Sequence, residues 1–381
     1  HYFLVNYLSC DGGIMVTASH NPPQYNGLKF VKQQAKPIFL GDGLDEIYKL
    51  MDRAPKTFKK YPGPKKENFI PAYVEFFKIR FERFFKKDAK PLKIAIDNGN
   101  GVASLVLEEL IKEFSWIQPI KLFWEQDPDF SGRGPNPSHK GALSFLCAAV
   151  LKHRADFGIA FDGDADRILF IDENGKQILP DFITAYLGEN MLKEAPGSLV
   201  IIPVGTSRIV EEKIKEAGGK VIFSRMGNVF VSSKIEEYNA IFGGERSGHY
   251  YFRDFFFRDG AIFTLLSVIR FWLGERRPFS EIFSNYAKYV TSGELNIAVE
   301  NQQGAISGLK DAFKNRARAT NEIDGFWADL GDVWFLLRQS QTEPILRLIV
   351  EGKNSQAVNK TLNEIQKILS GMHLDNMPDS V

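Results

Sequence analysis

A short apolar run leading into a polar, glycine-containing loop recurs at residues 92–114 (LKIAIDNGNGVASLVLEELIKEF), 155–172 (ADFGIAFDGDADRILFID) and 197–218 (GSLVIIPVGTSRIVEEKIKEAG). In the first and third, apolar residues then return every three to four positions, predicting a strand, a loop and a helix with one buried face. In the second, apolar runs at 157–161 and 168–172 predict strands on both sides of the loop. Repeated units of this kind imply α/β domains, with loops at the carboxyl ends of strands open to ligands. The pattern changes after Val290, where an alternating segment (294–299), a helix (305–316), two strands (325–329 and 333–337) and a terminal helix (354–369) predict a separate α+β domain. Prolines and lysines at 54–71 (APKTFKKYPGPKKENFIP) break every period before a Phe-rich helix at 73–85, so that stretch reads as a linker. The predicted division is 1–66, 67–175, 176–288 and 289–381.

Length agrees with this division, since 381 residues exceed what one hydrophobic core usually organises. Formal net charge is +1, with 48 basic and 47 acidic residues, so no global field would hold a nucleic-acid backbone or an anionic membrane. The lysines of the linker (Lys56, Lys59, Lys60, Lys65, Lys66) read as solvated. The longest apolar stretch, 261–269, is too short to span a bilayer. Cys10 and Cys147 are too few for a disulfide framework, which fits a reducing cytoplasm. The chain opens at His1 without a basic signal-like segment, and residues 11–16 read as a loop entering a strand whose sheet neighbours lie upstream.

Three loops carry candidate chemistry. In GIMVTASHNPPQYNGLKF (13–30), Ser19 lies between a strand and the turn residues Asn21, Pro22 and Pro23, so its hydroxyl is presented outward. Alone, this is more often a turn than a nucleophile. In FDGDADR (161–167), Asp162, Asp164 and Asp166 alternate in a loop between strands, and three such carboxylates repel unless a cation or protons intervene; Mg²⁺ suits them. Solvated turn carboxylates are the bland alternative. A calcium loop finds Glu173 at its twelfth position but Arg167 at the sixth, where glycine is required. An aspartyl phosphatase also uses Asp-x-Asp after a strand. In GGERSGH (243–249), Glu245, Ser247 and His249 can exchange hydrogen bonds with sugar hydroxyls, although a hairpin turn would look similar. Finally, RQSQTEPILR (338–347) offers Arg338, Ser340, Thr342 and Arg347, a phosphate-clamp composition or an exposed turn.

In this order and at these separations, the four motifs resemble the α-D-phosphohexomutase superfamily, closest to its phosphomannomutase/phosphoglucomutase branch. The resemblance spans nearly the whole chain. It implies successive three-layer α/β domains with mixed sheets, the first incomplete, and a C-terminal α+β domain, arranged around a central cleft. It implies a phosphosugar mutase that moves a phosphoryl group between C1 and C6 of mannose or glucose phosphates through a 1,6-bisphosphate. Ser19 would be the phosphoserine and, with Asp162, Asp164 and Asp166, a ligand of one Mg²⁺ per active site. Arg167 would orient the same site. Lys29, with His20 in support, matches the proton-transfer position. Glu245, Ser247 and His249 would bind the sugar, and Arg338, Ser340, Thr342 and Arg347 the distal phosphate. Hexose 1,6-bisphosphate would be the activator, and the protein a cytoplasmic monomer or homodimer.

The sequence departs from the family pattern in three places. It contains no Gly-Thr-x-Gly-x-Arg-Gly segment, it has Gln339 and Gln341 where Pro and Gly are usual, and residues 224–228 (SRMGN) only approximate the epimer-selecting loop. A catalytically impaired phosphosugar binder, a glucosamine-phosphate mutase and a sugar phosphatase are therefore the alternatives.

Overall fold

The computed structural model describes residues 1–53, 63, 65–85, 91–275, 277–340 and 344–370. Its strands form one two-stranded and three five-stranded sheets among those residues. In the first unit, helix α1 (Tyr2–Tyr7) precedes strands β1 (Gly12–Val16) and β2 (Leu28–Lys32), and helix α2 (Leu44–Met51) follows. β1 was expected to find its neighbour upstream; its partner here is β2, antiparallel, with Val16 opposite Leu28. Thr17 N donates to Gly27 O at 3.0 Å and closes the serine loop between the two strands.

The linker reading at 54–71 falls largely outside the described residues, Lys56, Lys59 and Lys60 included. Helix α3 (Ile70–Phe81) starts earlier than predicted because Pro71 suits a first helical turn, and it gives way to a 3₁₀ turn at Glu82–Phe84. Next come β3 (Leu92–Asp97), α4 (Ala103–Glu113), β4 (Ile117–Leu122), α5 (Ser144–His153), β5 (Phe157–Phe161), β6 (Ile168–Ile171) and β7 (Gln177–Ile178). The sheet order is β4-β3-β5-β6-β7. β3 lies parallel to β4 and β5, and β5 and β6 form an antiparallel pair around the aspartate loop. Every residue of β5 and β6 is buried, which explains their unbroken apolar runs.

The third sheet repeats this plan. It comprises α6 (Pro180–Glu194), β8 (Leu199–Pro203), α7 (Arg208–Glu216), β9 (Lys220–Ser224), α8 (Asn228–Glu237), β10 (Phe242–Gly244), β11 (Tyr250–Phe252), β12 (Arg258–Asp259), α9 (Ala261–Glu275) and α10 (Phe279–Ser284). Sheet order is β12-β11-β10-β8-β9, with β8 parallel to β9 and β10 and an antiparallel β10–β11 hairpin that carries Glu245 to His249. Ser207 caps α7, its hydroxyl accepting from Ile209 N. The apolar stretch 261–269 is the buried part of α9, and no described helix is long and apolar enough to cross a membrane.

The last sheet is antiparallel throughout, in the order β13-β17-β16-β15-β14. Its elements are β13 (Val290–Ile297), α11 (Gln302–Phe313), β14 (Ala319–Asn321), β15 (Phe326–Asp329), β16 (Val333–Gln339), β17 (Leu346–Gly352) and α12 (Ser355–Ser370). Two strands went unpredicted. β14 is short and mostly exposed, and β17, buried on both faces, lacks the alternation that marks a strand with one wet face. Residues of α11 and α12 share one apolar core with this sheet. On its other face, Trp334, Leu336 and Ile349 pack against Val204 and Met226 of the third unit.

Candidate active site

The serine loop is built by short-range bonds. Thr17 Oγ1 accepts from Ser19 N at 2.7 Å and donates to Asp164 Oδ2 at 3.0 Å, tying the loop to the aspartates. Ser19 adopts φ 55°, a left-handed conformation that costs a non-glycine residue energy and is found mainly where the surroundings enforce it. Its Oγ lies 3.2 Å from His20 Nδ1. Burial and the nearby Arg167 lower the His20 pKa to about 4, so the ring is neutral at physiological pH.

The aspartates follow directly from buried β5. A Cβ at Gly163 would stand 2.7 Å from Ser19 O, so glycine is what lets the two loops touch. One carboxylate oxygen from each of Asp162, Asp164 and Asp166 lies within 4.8 Å of the others. Asp162 Oδ2 and Asp164 Oδ1 are buried and accept no hydrogen bond. Burial, with repulsion from Asp166 and Asp164, raises the Asp162 pKa well above the usual carboxylate range. Orphaned hard oxygens of this kind fit a divalent cation. Lys29 Nζ lies 2.8 Å from Asp164 Oδ2 and 2.7 Å from Asp166 Oδ2. Burial opposes its charge, yet Asp166 and Asp164 outweigh burial and raise its pKa.

The sugar loop reaches the same place. Gly248, at φ 90°, turns the chain so that His249 Nε2 lies 3.2 Å from Asp166 Oδ1 and 3.4 Å from Arg167 Nε. Burial disfavours the imidazolium, but Asp166 raises the His249 pKa to about 10. In turn, His249 and Lys29 hold Asp166 low despite its burial. Ser247 Oγ is 2.9 Å from His249 Nδ1. Glu245 accepts from Gly227 N at 2.8 Å and from Tyr251 Oη. Its pKa is lowered against the effect of burial by His249 and these donors.

A cleft of about 1540 Å³ is lined by His20, Arg167, Glu245, Ser247 and His249, and by Arg338, Ser340 and Arg347 from the last sheet. An adjoining pocket of about 310 Å³ touches Ser19, Lys29, Asp166, Arg167 and His249. The serine, aspartate and sugar loops thus meet, while the clamp residues face them as part of the cleft wall. Thr342 and Gln341 lie outside the described residues.

Sequence reasoning missed several participants. Thr17, two residues before Ser19, was not singled out. Arg133 donates Nε to both Asp97 carboxylate oxygens at 2.8 Å and Nη2 to Phe161 O, bracing the ends of β3 and β5 just before Asp162. Arg246 binds Asp181 at 2.7 Å and lies 3.8 Å from Glu351, linking the sugar loop to the last sheet. Glu294 meets both clamp arginines. None of these pairings leaves a local mark in the sequence.

Family profiles for phosphoglucomutase/phosphomannomutase alpha/beta/alpha domains I, II and III match residues 1–57, 71–175 and 179–289, and the C-terminal domain profile matches 294–368. A phosphomannomutase of Vibrio cholerae is 35% identical over 383 residues, covering 98% of this chain and 82% of the relative. The chain belongs to the phosphoglucomutase/phosphomannomutase family. A phosphohexose mutase of Xanthomonas campestris is 33% identical over 377 residues, 97% of this chain and 82% of its own. The crystal structure of a phosphoglucomutase/phosphomannomutase family protein from Burkholderia thailandensis superposes with a TM-score of 0.84 at 28% identity, covering 96% of this chain and 78% of that one. This phosphoglucomutase/phosphomannomutase family member is a phosphohexomutase, an enzyme of the isomerase class. Its successive α/β domains and C-terminal domain are those the motifs implied. Mutases of the family depend on a metal, and the Asp162, Asp164 and Asp166 group has the donors for one.

Proposed function

We propose that this mutase moves a phosphoryl group between C1 and C6 of mannose or glucose phosphate, through a phosphoserine at Ser19 and a hexose 1,6-bisphosphate. The observation that carries this reading is the contact of the Ser19 loop with the aspartate loop, in which the buried oxygens Asp162 Oδ2 and Asp164 Oδ1 accept no hydrogen bond.

In the first half-reaction the free sugar hydroxyl attacks the phosphorus on Ser19. The Ser19 Oγ–P bond breaks, and the bisphosphate forms. After the intermediate turns over, Ser19 Oγ attacks the other phosphate and the isomerised monophosphate leaves. Each half removes a proton from an attacking hydroxyl and returns one to a leaving oxygen. In the first half Lys29, held as an ammonium in the same pocket as Ser19, gives its proton to the leaving Ser19 Oγ while neutral His20 takes the one from the attacking sugar hydroxyl. In the second half the roles reverse, Lys29 recovering a proton from the attacking Ser19 Oγ and His20 returning one to the leaving oxygen, so both end as they began. Asp162, Asp164, Asp166 and the Ser19 phosphate would hold one Mg²⁺, which supplies neutralising charge for phosphoryl transfer. Arg167 adds fixed positive charge, Glu245, Ser247 and His249 take the sugar hydroxyls, and Arg338, Ser340, Thr342 and Arg347 take the phosphate that is not reacting. Hexose 1,6-bisphosphate would restore phosphoserine whenever the intermediate escapes. We read the enzyme as cytoplasmic, in keeping with free Cys10 and Cys147, and as a monomer or homodimer.

The test is a coupled assay of hexose 6-phosphate formation from glucose 1-phosphate and mannose 1-phosphate, with Mg²⁺ and a trace of hexose 1,6-bisphosphate. Turnover is expected, and Ser19→Ala is expected to abolish it. Full activity in Ser19→Ala would sink the phosphoserine assignment, whereas phosphosugar binding without turnover in the native chain would identify an impaired relative.

A further inference from the structure

Arg338 on β16 stands directly opposite Arg347 on β17, so two guanidinium groups share one face of the sheet. Like charges in that register repel, and a third residue relieves them. Glu294 on β13 places Oε2 3.0 Å from Arg338 Nη2 and Oε1 on Arg347 Nη1. A β-bulge between Thr291 and Glu294, with Gly293 at φ 69°, interrupts the β13–β17 register just before this side chain, and such a bulge re-aims the residues beside it. Glu294, Arg338, Ser340 and Arg347 all line the cleft. Arg338 is only 9% exposed, so its partners matter more than those of a surface arginine.

A carboxylate with one oxygen on each of two guanidiniums occupies the geometry by which arginine pairs grip a phosphate. We propose that Glu294 is a built-in competitor for the phosphate clamp, holding Arg338 and Arg347 whenever a substrate phosphate is away and yielding to one that arrives. This rests on the reading of the clamp as a phosphate site. A tethered anion has a high effective concentration and so weakens phosphate binding. It also keeps a carboxylate on the two arginines when a bisphosphate leaves the clamp to turn around. The glutamate therefore trades affinity for release.

The metal-free enzyme is titrated calorimetrically with inorganic phosphate and with glucose 6-phosphate, as wild type, Glu294→Gln and Arg338→Met. Glu294→Gln keeps the shape and removes the charge, and it is expected to bind both ligands about five- to tenfold more tightly. A glutamate that only aligned the arginines would give the opposite result, so unchanged or weaker binding in Glu294→Gln overturns the proposal. If that variant does not fold, Glu294→Asp is used instead: it keeps the charge but is one methylene short of spanning both arginines, and the same gain in affinity is required of it. Arg338→Met is expected to weaken both ligands. If it does not, the clamp reading itself fails, separately from any effect at Glu294.

Discussion

Ser19 and the aspartates beside it hold conformations and charges that suit chemistry better than stability. Asp162 is fully buried among like charges, and its raised pKa means that the ionised form costs stability above the usual carboxylate range. Asp162→Asn is therefore expected to raise the melting temperature of the metal-free protein while lowering turnover at least a hundredfold. A fall in melting temperature would show that the carboxylate serves the fold. The two histidines give opposite signs. His249, near 10 in the fold against about 6.5 unfolded, contributes stability that is complete below about pH 6.5 and lost as pH rises through 10. His20, near 4 in the fold, costs stability as pH falls from about 6.5 toward 4. In the metal-free enzyme, NMR titration of the two rings should find neither midpoint between pH 5 and 8. A midpoint near 6.5 for His20 would remove it as the neutral acceptor beside Ser19. Ser19, the aspartates and Glu245 were legible because turn residues and alternating carboxylates are local signals. Their protonation states were not, since each depends on a charge from another part of the chain.

At the scale of elements, the strand–loop–helix units at β3–α4 and β8–α7 followed from periodicity, because one buried face per helix repeats every three to four residues. β17 did not, since burial on both faces erases alternation, and the start of α3 was decided by Pro71 rather than by its apolar positions. The loop at 123–143 was not read from sequence at all, although it supplies the brace for the aspartate loop. Arg133 and Asp97 form an ion pair with side chains 1% and 0% exposed. Burial raises the Asp97 pKa even against Arg133, so the pair gains little in itself, but losing one partner strands the other. Arg133→Met is expected to cost about 3 kcal/mol in urea unfolding and to reduce turnover by loosening β5 just before Asp162. An unchanged unfolding midpoint would count against the brace.

At the scale of the whole molecule, one apolar cluster runs from Phe3 through the second and third sheets to Tyr286, whereas the last domain has its own core. It meets the third unit through a small apolar patch, the Arg208 contacts with Asp329 and Gly331 O, and Glu351, which accepts from Arg208 N and Trp334 Nε1. Trp334, 1% exposed, is the largest fully buried side chain in that patch. Trp334→Ala is expected to cost about 3–5 kcal/mol and to raise KM for hexose phosphate more than it lowers kcat, because the proposed phosphate clamp rides on this domain. Equal losses in the two constants would argue against that. The order of the motifs and the α/β character of the chain were determined by the sequence alone, because loop chemistry and hydrophobic period depend only on near neighbours. The tertiary structure decided which loops meet. Lys29 reaches Asp164 across 135 positions, His249 reaches Asp166 across 83, and Glu294 finds Arg338 across 44. No local pattern encodes such pairs, since they arise only when packed cores bring distant strand ends to one cleft.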